Sequence, residues 1–543
     1  MQITINKYLP YKIYPCELKT MTNVRSIILG ILLILMLGSM GSVLAEDKVL
    51  KIGTTDQIKS LSLLSDYNLE QISEASNLPL TQFDENGKVI GALASSYEAS
   101  PDNTVWTFTL ADNIFWSDGK PITGEDVIFS MEVYETDVTA KWLKELVKDA
   151  KVEGNKVIYT LNKPYTNLAQ DFATREILPK HIWESIDKPL EYADPKGSYV
   201  GSGPFYIDSI DLSSAKLIFK KNPYWKGKQP YYDSIEVSWF KNEDAASKAL
   251  QSGAVDTYWK YATSFPYASI DSLKSTGNFD ILEKPSSGLT FLGFNLNKEP
   301  MSDLTFRTAV SKALNYPELV SISTLGHGKA PNSGFIPPAM NDYVETDELQ
   351  YNVNDAKKIL ADAGYKDSDG NGIIEGKDGK DIKLDFLIRD QFAREGDLVK
   401  EYLEKIGVGA EIHVVDQQTW TDQKDKFNYD ITLTRTTPFG MIKEAGWATA
   451  YFESRMFGGG QLHTVSDPKF LELCDDLLST TDQTKIAQSA KEVQQYYAEN
   501  LPGIALYWKN DVTPYNKGIT GWYSNPMFGI MNEFTFSGAK PVA

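Results

Sequence analysis

Trp116-Ser-Asp-Gly-Lys-Pro-Ile-Thr-Gly-Glu-Asp-Val-Ile-Phe-Ser130 holds a turn and a helix start in one short stretch. Ser117-Asp-Gly119 is a turn signal. Thr123 stands three residues before Asp126 at the head of an apolar run, the arrangement that caps a helix opening at Gly124. Just upstream, Thr104-Val-Trp-Thr-Phe-Thr-Leu110 alternates polar and apolar residues as a half-buried strand does, and Asp84-Glu-Asn-Gly87 marks another tight turn. Residues 81–118 therefore read as antiparallel strands and hairpins that lead into a helix.

On either side the rhythm changes to strands alternating with helices. Val49-Leu-Lys-Ile-Gly53 is a strand running into the small polar pair Thr54-Thr55, and strand C-termini in open α/β sheets are where ligands meet the backbone. Val200-Gly-Ser-Gly-Pro-Phe205 is a hinge-like break, after which Tyr206-Ile-Asp208 and Lys216-Leu-Ile-Phe-Lys220 resume as strands. A further lobe starts near Ser286. It opens with the strand Thr290-Phe-Leu-Gly-Phe-Asn295 and the helix Leu304–Leu314, whose apolar residues recur at helical spacing. The helix Asp355–Gly364, stopped by its glycine, and the strands Ile382–Leu387 and Tyr429–Leu433 come after it; from Ile504-Ala-Leu-Tyr-Trp508 the chain reads as strands and irregular structure. The fold class is α/β, and 543 residues exceed what one hydrophobic core sustains, so several lobes are expected. No tandem repeat or low-complexity tract interrupts the pattern, and no apolar tail follows Pro541.

Residues 1–45 read as a secretion signal. Arg25 precedes the apolar run Ile27–Leu37, and small residues lead to Val43-Leu44-Ala45, where cleavage is expected. The apolar run is shorter than the roughly 20 residues of a spanning helix, though its extension to Leu44 leaves a retained N-terminal membrane anchor as the alternative. Met21, just before the charged region, is a candidate true start, and Cys16 lies upstream of the apolar run, where it cannot carry a lipid. The full sequence has a net charge of −19. The leader's Lys7, Lys12, Lys19 and Arg25 against Glu17 amount to +3, so the remainder carries −19 − 3 = −22. So acidic a chain argues against nucleic acid or an anionic membrane face as partner. Cys474, in the helical pattern Phe470–Leu478, is the one cysteine beyond the leader and reads as a buried structural residue.

In order along the chain, Leu80-Thr-Gln-Phe-Asp-Glu-Asn-Gly-Lys-Val-Ile-Gly-Ala-Leu-Ala94, Trp106-Thr-Phe-Thr-Leu110 and Trp116–Ser130 are followed by Val200-Gly-Ser-Gly-Pro-Phe205 and Lys221-Asn-Pro-Tyr-Trp225. Ala249-Leu-Gln-Ser-Gly-Ala-Val-Asp256, Phe294-Asn295, Ile336-Pro-Pro338 and Ala356–Tyr365 come next. This series resembles extracellular solute-binding proteins of family 5, the peptide and nickel receptors of ABC importers. No single motif is decisive; the landmarks in register carry the resemblance across nearly the whole chain after the leader. It implies a two-lobed, periplasmic-binding-protein-like (type II) clamshell with an extra domain inserted in the first lobe. On that pattern 46–80, 201–285 and 511–543 form lobe I, 81–200 the inserted domain and 286–510 lobe II. The implied protein is an extracytoplasmic monomer, in the periplasm or at the cell surface, that closes on its solute and delivers it to a membrane permease.

The resemblance also implies where solute sits. The segment after Tyr429–Leu433 lines the family's cleft, and here it runs Thr434-Arg-Thr-Thr-Pro-Phe-Gly440. The aspartate that peptide receptors often carry there, to pair with an α-ammonium, is absent. Arg435 offers instead a planar fork of donors suited to a carboxylate, and resembles the Arg-Thr of the nickel-binding branch; the alternative is a solvated loop arginine. Trp447 and Tyr451 are further wall candidates, with core packing as the alternative. Tyr258, Trp259 and Tyr261 follow a strand where lobe I faces ligand, and Asn295 and Trp116 are weaker candidates of the same kind. His463 stands in the region where nickel-chelate receptors place a metal-binding histidine; an ordinary loop histidine is the alternative. His327 and His413 show no partner pattern.

No cofactor is required by this reading. Asp367-Ser-Asp-Gly-Asn-Gly-Ile-Ile-Glu-Gly-Lys-Asp378 nevertheless follows an EF-hand-like calcium pattern, with Asp367, Asp369, Asn371, Ile373, Glu375 and Asp378 at the ligand positions and Gly372 at the sharp turn. Asp378 replaces the usual bidentate glutamate. Either a structural calcium ion or a plain turn between helix and strand answers to it. A secreted hydrolase is the rival class, but the chain has no Gly-x-Ser-x-Gly elbow and no His-Glu-x-x-His, and its four histidines leave little material for a triad or zinc site.

Overall fold

The computed structural model describes residues 47–543 apart from 75, 137–140, 193–198, 262, 341–342, 437–451, 455–461 and 480–481. Residues 1–45, with Met21 and Cys16, lie outside the described residues, as do Trp447 and Tyr451. Lys48–Ala543 forms one unit.

Two sheets share one long strand, Gly503–Asn516. In the first sheet Val49–Thr54 lies parallel to both Ser234–Trp239 and Thr257–Tyr258, while Lys216–Lys221 and Phe205–Asp211 extend the edge antiparallel. In the second, Lys383–Arg389 lies parallel to Gly409–Val415 and to Ile431–Arg435, and Thr290–Phe294 runs antiparallel to Ile431–Arg435. The shared strand changes partner along its length. Its first residues pair with Thr290–Phe294, Trp508 and Lys509 pair with Lys329 and Gly328, and Asn510–Asn516 pair with Phe279–Pro285. Apart from this strand, the chain passes between the sheets at Pro285–Thr290, and this geometry makes a two-lobed α/β fold.

Each sheet carries its own core. Leu50, Ile52, Phe205 and Val237 pack on one, Leu292, Phe306, Leu384 and Leu433 on the other. Thr290–Phe294 is buried on both faces: Leu292 and Phe294 enter one core while Phe291 enters a second, with Trp420, Tyr429 and Cys474. This is the period-two alternation of a central strand. Cys474 is buried and free of any disulfide.

The stretch 81–161 builds a separate four-stranded antiparallel sheet, Ala94–Ala99, Val105–Leu110, Lys156–Leu161 and Val147–Glu153 in spatial order. The helix Gly124–Tyr134 packs on it so closely that a Cβ on Gly124 would meet Val152 Cγ1 at 2.8 Å. Its cap is the one read from Thr123 and Asp126: Thr123 N–H donates to Asp126 Oδ2 at 2.8 Å, and Asp126 Oδ1 accepts from Lys180 N at 2.9 Å. The Gly201-Ser-Gly203 break lies where the chain leaving this region passes the chain entering it. Ser202 and Gly203 N–H both donate to Ser76 O, at 2.7 and 2.8 Å, and Leu78 N–H donates to Ser202 Oγ at 2.8 Å. A Cβ on Gly201 would stand 2.6 Å from Ser76 O, so glycine is required there.

In the Asp367–Asp378 loop, oxygen atoms of Asp367, Asp369 and Glu375 lie within 4.8 Å of one another. Asp378 stands apart from these three. Its carboxylate accepts from Lys380 N at 3.2 Å and pairs with Lys380 Nζ at 3.4 Å, because Gly379, in the left-handed region, closes a turn that carries it back along the chain. Asp381 approaches instead, accepting from Asn371 Nδ2 at 3.1 Å. Gly372, at φ +91°, makes the sharp turn expected of it.

Candidate functional site

The ends of strands from both sheets meet beside a cavity of 490 Å³, whose wall includes Tyr258, Trp259, Lys260, Thr263, Phe528 and Lys284. Val49–Thr54 delivers Asp56, whose Oδ2 accepts from Tyr261 N at 2.8 Å. Burial raises the Asp56 carboxyl, against the lowering pull of that hydrogen bond and of Lys260 and Arg435. Tyr258 O–H lies 3.0 Å from Thr55 Oγ1, Trp259 Nε1–H donates to Phe528 O at 2.7 Å, and Lys260 Nζ donates to Glu243 Oε1 at 3.1 Å.

From the second sheet, Ile431–Arg435 ends on Arg435, whose Nη1 donates to Thr263 Oγ1 at 2.8 Å, a direct bond between the two lobes. The neighbouring parallel strand Lys383–Arg389 also ends on an arginine. Arg389 donates from Nη2 to Thr434 Oγ1 at 3.1 Å and from Nη1 to Gln417 Oε1 at 2.5 Å, while its guanidinium lies 4.5 Å from the centre of the Trp420 ring. Its Nε is buried and has no hydrogen-bond partner among the described residues. Burial, and then the positive charge of Arg435, bring Arg389 down to about 10. The positive charge of Arg435 acts unfavourably on Arg389, and an anion near both groups relieves that repulsion.

Tyr67 stands against Tyr261. It is 58 % exposed, yet its phenol is pushed up to about 12, by the protein around it first and by Glu70 second, with Arg435 pulling the other way. Its ring meets Tyr261 edge-on, with centroids 5.9 Å apart.

Of the residues proposed from sequence, Tyr258 and Trp259 line the cavity, while Tyr261 and Arg435 lie next to it through Phe528 and Thr263. Two others are placed differently. Trp116 is wholly buried among Trp106, Phe108 and Val127 in the core of the separate sheet, because the turn that follows it folds the ring inward. Asn295 is wholly buried and donates its amide to Phe427 O and Tyr429 O at 2.9 and 2.8 Å, tying two loops together. His463 is buried between Leu462 and Val465, with Nδ1 3.0 Å from Glu453 O. His327, read as lacking a partner, lies 3.0 Å from Glu283 Oε1.

Asp56, Tyr67, Thr263 and Arg389 escaped the sequence reading. Asp56 and Arg389 were within reach of it, since each sits at or just past a strand C-terminus, as Thr54-Thr55 does. Tyr67 and Thr263 have no such local signal.

Comparison with known proteins agrees with this geometry. The model for bacterial extracellular solute-binding proteins, family 5 Middle, matches residues 88–456. A probable D,D-dipeptide-binding periplasmic protein, DdpA of Escherichia coli (strain K12), is 27% identical over 453 residues, covering 81% of this chain and 83% of that protein. The oligopeptide-binding protein AppA from Bacillus subtilis, solved with a nonapeptide, superposes with a TM-score of 0.75 at 21% identity over 92% of this chain and 100% of that one. NikZ from Campylobacter jejuni, solved with Ni(L-His), gives the same TM-score of 0.75 at 21% identity, over 91% of this chain and 99% of that one. Among the described residues no helix is long and apolar enough to cross a membrane. With a family match over most of its length and relatives that align along the greater part of theirs, this chain belongs to the bacterial extracellular solute-binding proteins of family 5.

Proposed function

We propose that this chain is the extracytoplasmic receptor of an ABC importer, taking a peptide or peptide-like solute by closure of its two lobes and presenting it to a membrane permease. The observation that carries the reading is the Arg435–Thr263 bond at the cavity, because a ligand seated there touches both lobes only when they are together. A ligand of that kind drives closure by its differential affinity for the closed form. Half-polar walls with aromatic rings suit a solute that has backbone amides and mixed side chains.

The solute's anionic end would face Arg435 and Arg389. Its remaining length would run along Tyr258 and Trp259 into the cavity. The lobes would be 46–80, 201–285 and 511–543 on one side and 286–510 on the other, with 81–200 as the inserted domain. Residues 1–45 would export the protein, which would act as a monomer. No cofactor enters the scheme; a calcium ion at Asp367, Asp369 and Glu375 would be structural, since none of the three lines the cavity.

A nickel chelate is the second reading, favoured by the paired arginines, which suit a small polycarboxylate chelator as well as a peptide carboxylate. Mass spectrometry of solute carried through native purification separates the two. A peptide is expected. Nickel with a carboxylate chelator would replace it, and absence of any co-purifying solute together with no stabilisation by peptide or nickel-chelate panels would remove the receptor reading.

A further inference from the structure

His327 stands where the two lobes join. It follows the helix Tyr316–Thr324, whose Tyr316 and Leu319 belong to the core of the second lobe, and its N–H donates to Thr324 O at 2.8 Å. Its side chain reaches the other lobe. Nδ1 lies 3.0 Å from Glu283 Oε1 on Phe279–Pro285, and the ring stacks on Tyr267 with centroids 5.1 Å apart and planes 11° from parallel. The main chain is held at the same point: Asn510 N–H donates to His327 O at 2.7 Å, and Asn510 is where the shared strand changes from second-lobe to first-lobe partners. Asn510 Nδ2 also donates to Glu283 Oε1 at 2.7 Å, and Tyr267 O–H donates to Asn510 O at 2.7 Å.

From this geometry we infer that His327, Glu283 and Tyr267 form a proton-sensitive clasp across the hinge, which holds the lobes together more firmly as the medium becomes acidic. The inference rests on the reading of the chain as a lobe-closing receptor. Three neighbours of the ring attract positive charge: the Glu283 carboxylate, the face of Tyr267 and the carbonyl end of the helix Tyr316–Thr324. Histidine is the side chain that changes charge between about pH 5 and 8. Glu283 stays ionised through that window. Burial pushes its carboxyl up, but hydrogen bonds from Asn510 and His327 outweigh it and hold the group below its ordinary value. The other charged groups at the joint are Lys274, acting on Glu283, and the Lys509–Asp511 pair at 3.2 Å. Protonation of the ring makes this contact an ion pair, and its loss leaves a neutral donor facing the Glu283 carboxylate.

The test uses the whole solute-free protein, spin-labelled on surface sites of each lobe, with lobe separation measured from pH 8 to 5.5. The closed-to-open ratio is expected to rise about three- to tenfold on acidification in the unaltered protein, and not in His327→Gln or Glu283→Gln. His327→Phe keeps the ring on Tyr267 and should remove the pH response while keeping an intermediate, constant ratio. An unchanged pH response in His327→Gln, or none in the parent, overturns the clasp. A tryptic digest of casein serves as the closure control. Closure by the digest without any pH response defeats the clasp alone, whereas failure of the digest and of nickel chelates to close the lobes defeats the receptor reading.

Discussion

Replacing Arg435 by glutamine is expected to weaken binding of the co-purifying solute by about 30- to 1,000-fold, with little change in the thermal unfolding of the solute-free protein. Arg435 is the last residue of Ile431–Arg435, so its side chain leaves the sheet edge without entering a core, and its contact with Thr263 lies beside the cavity. Removing a charged partner from a desolvated, hydrogen-bonded contact costs about 2–4 kcal/mol, which is that fold-change. Lysine at this position should recover only part of the loss, because an ammonium cannot present two parallel donors to a carboxylate and reach Thr263 as well. Isothermal titration with the recovered solute is the measurement. Affinities for the glutamine variant within threefold of the parent would remove Arg435 from the site.

A second large effect is expected away from the cleft, in the dependence of stability on pH. The helix Tyr67–Ser73 ends in a cluster of buried acids. Ser73 O–H donates to Glu176 Oε1 at 2.5 Å, Glu176 Oε2 is buried with no hydrogen-bond partner among the described residues, and Glu74 is buried beside them. Glu70 acts on both carboxyls, Tyr134 O–H donates to the Glu176 carbonyl at 3.1 Å, and Arg175 lies 5.2 Å from the Tyr134 ring. Both carboxyls are held well above the ordinary value. Burial is the main cause for each. For Glu74 the charges of Glu176 and Glu70 add to it; for Glu176 the Ser73 hydrogen bond opposes it and Glu70 adds to it.

A raised carboxyl binds its proton more tightly in the folded state than in the unfolded one. Its contribution is therefore complete below the unfolded value, near 4.5, and is lost as pH rises toward the folded value. Each carboxyl that keeps its proton makes stability fall by about 1.4 kcal/mol per pH unit over that window. Glu176→Gln removes one such group without removing volume, so its stability curve should lie close to the parent's at pH 4.5 and above it from pH 6 upward. Denaturant unfolding from pH 4.5 to 9 measures this. Parallel curves for the two proteins would show that Glu176 is not a proton-binding group of the folded state.

Much of the architecture could be read locally. The Thr123–Asp126 cap, the alternating strand Thr104–Leu110 and the turns at Asp84–Gly87 and Ser117–Gly119 all appear where their residues place them, because each depends on neighbours within a few positions. The aromatic run Tyr258–Tyr261 is of the same kind, since a strand ending in rings declares an edge. Trp116 shows the limit of such reading. A tryptophan beside a turn fits a core or a cleft equally well from sequence, and only packing against Trp106 and Phe108 decides between them.

The amino-acid sequence by itself determined the α/β class, the order of elements and, through landmarks in register, the family, because these follow from periodicity, capping and turn chemistry acting over short spans. Tertiary structure alone decided which distant groups meet. Arg389 and Arg435 end parallel neighbouring strands, Arg435 reaches Thr263 because the lobes approach, and Ser73 joins Glu176 because Glu176 bridges to Pro79 a few residues further on. His327 gained its partners in the same way, on a strand that serves both lobes. Charges, stacked rings and shared protons act over a few ångströms of space, whatever their separation along the chain.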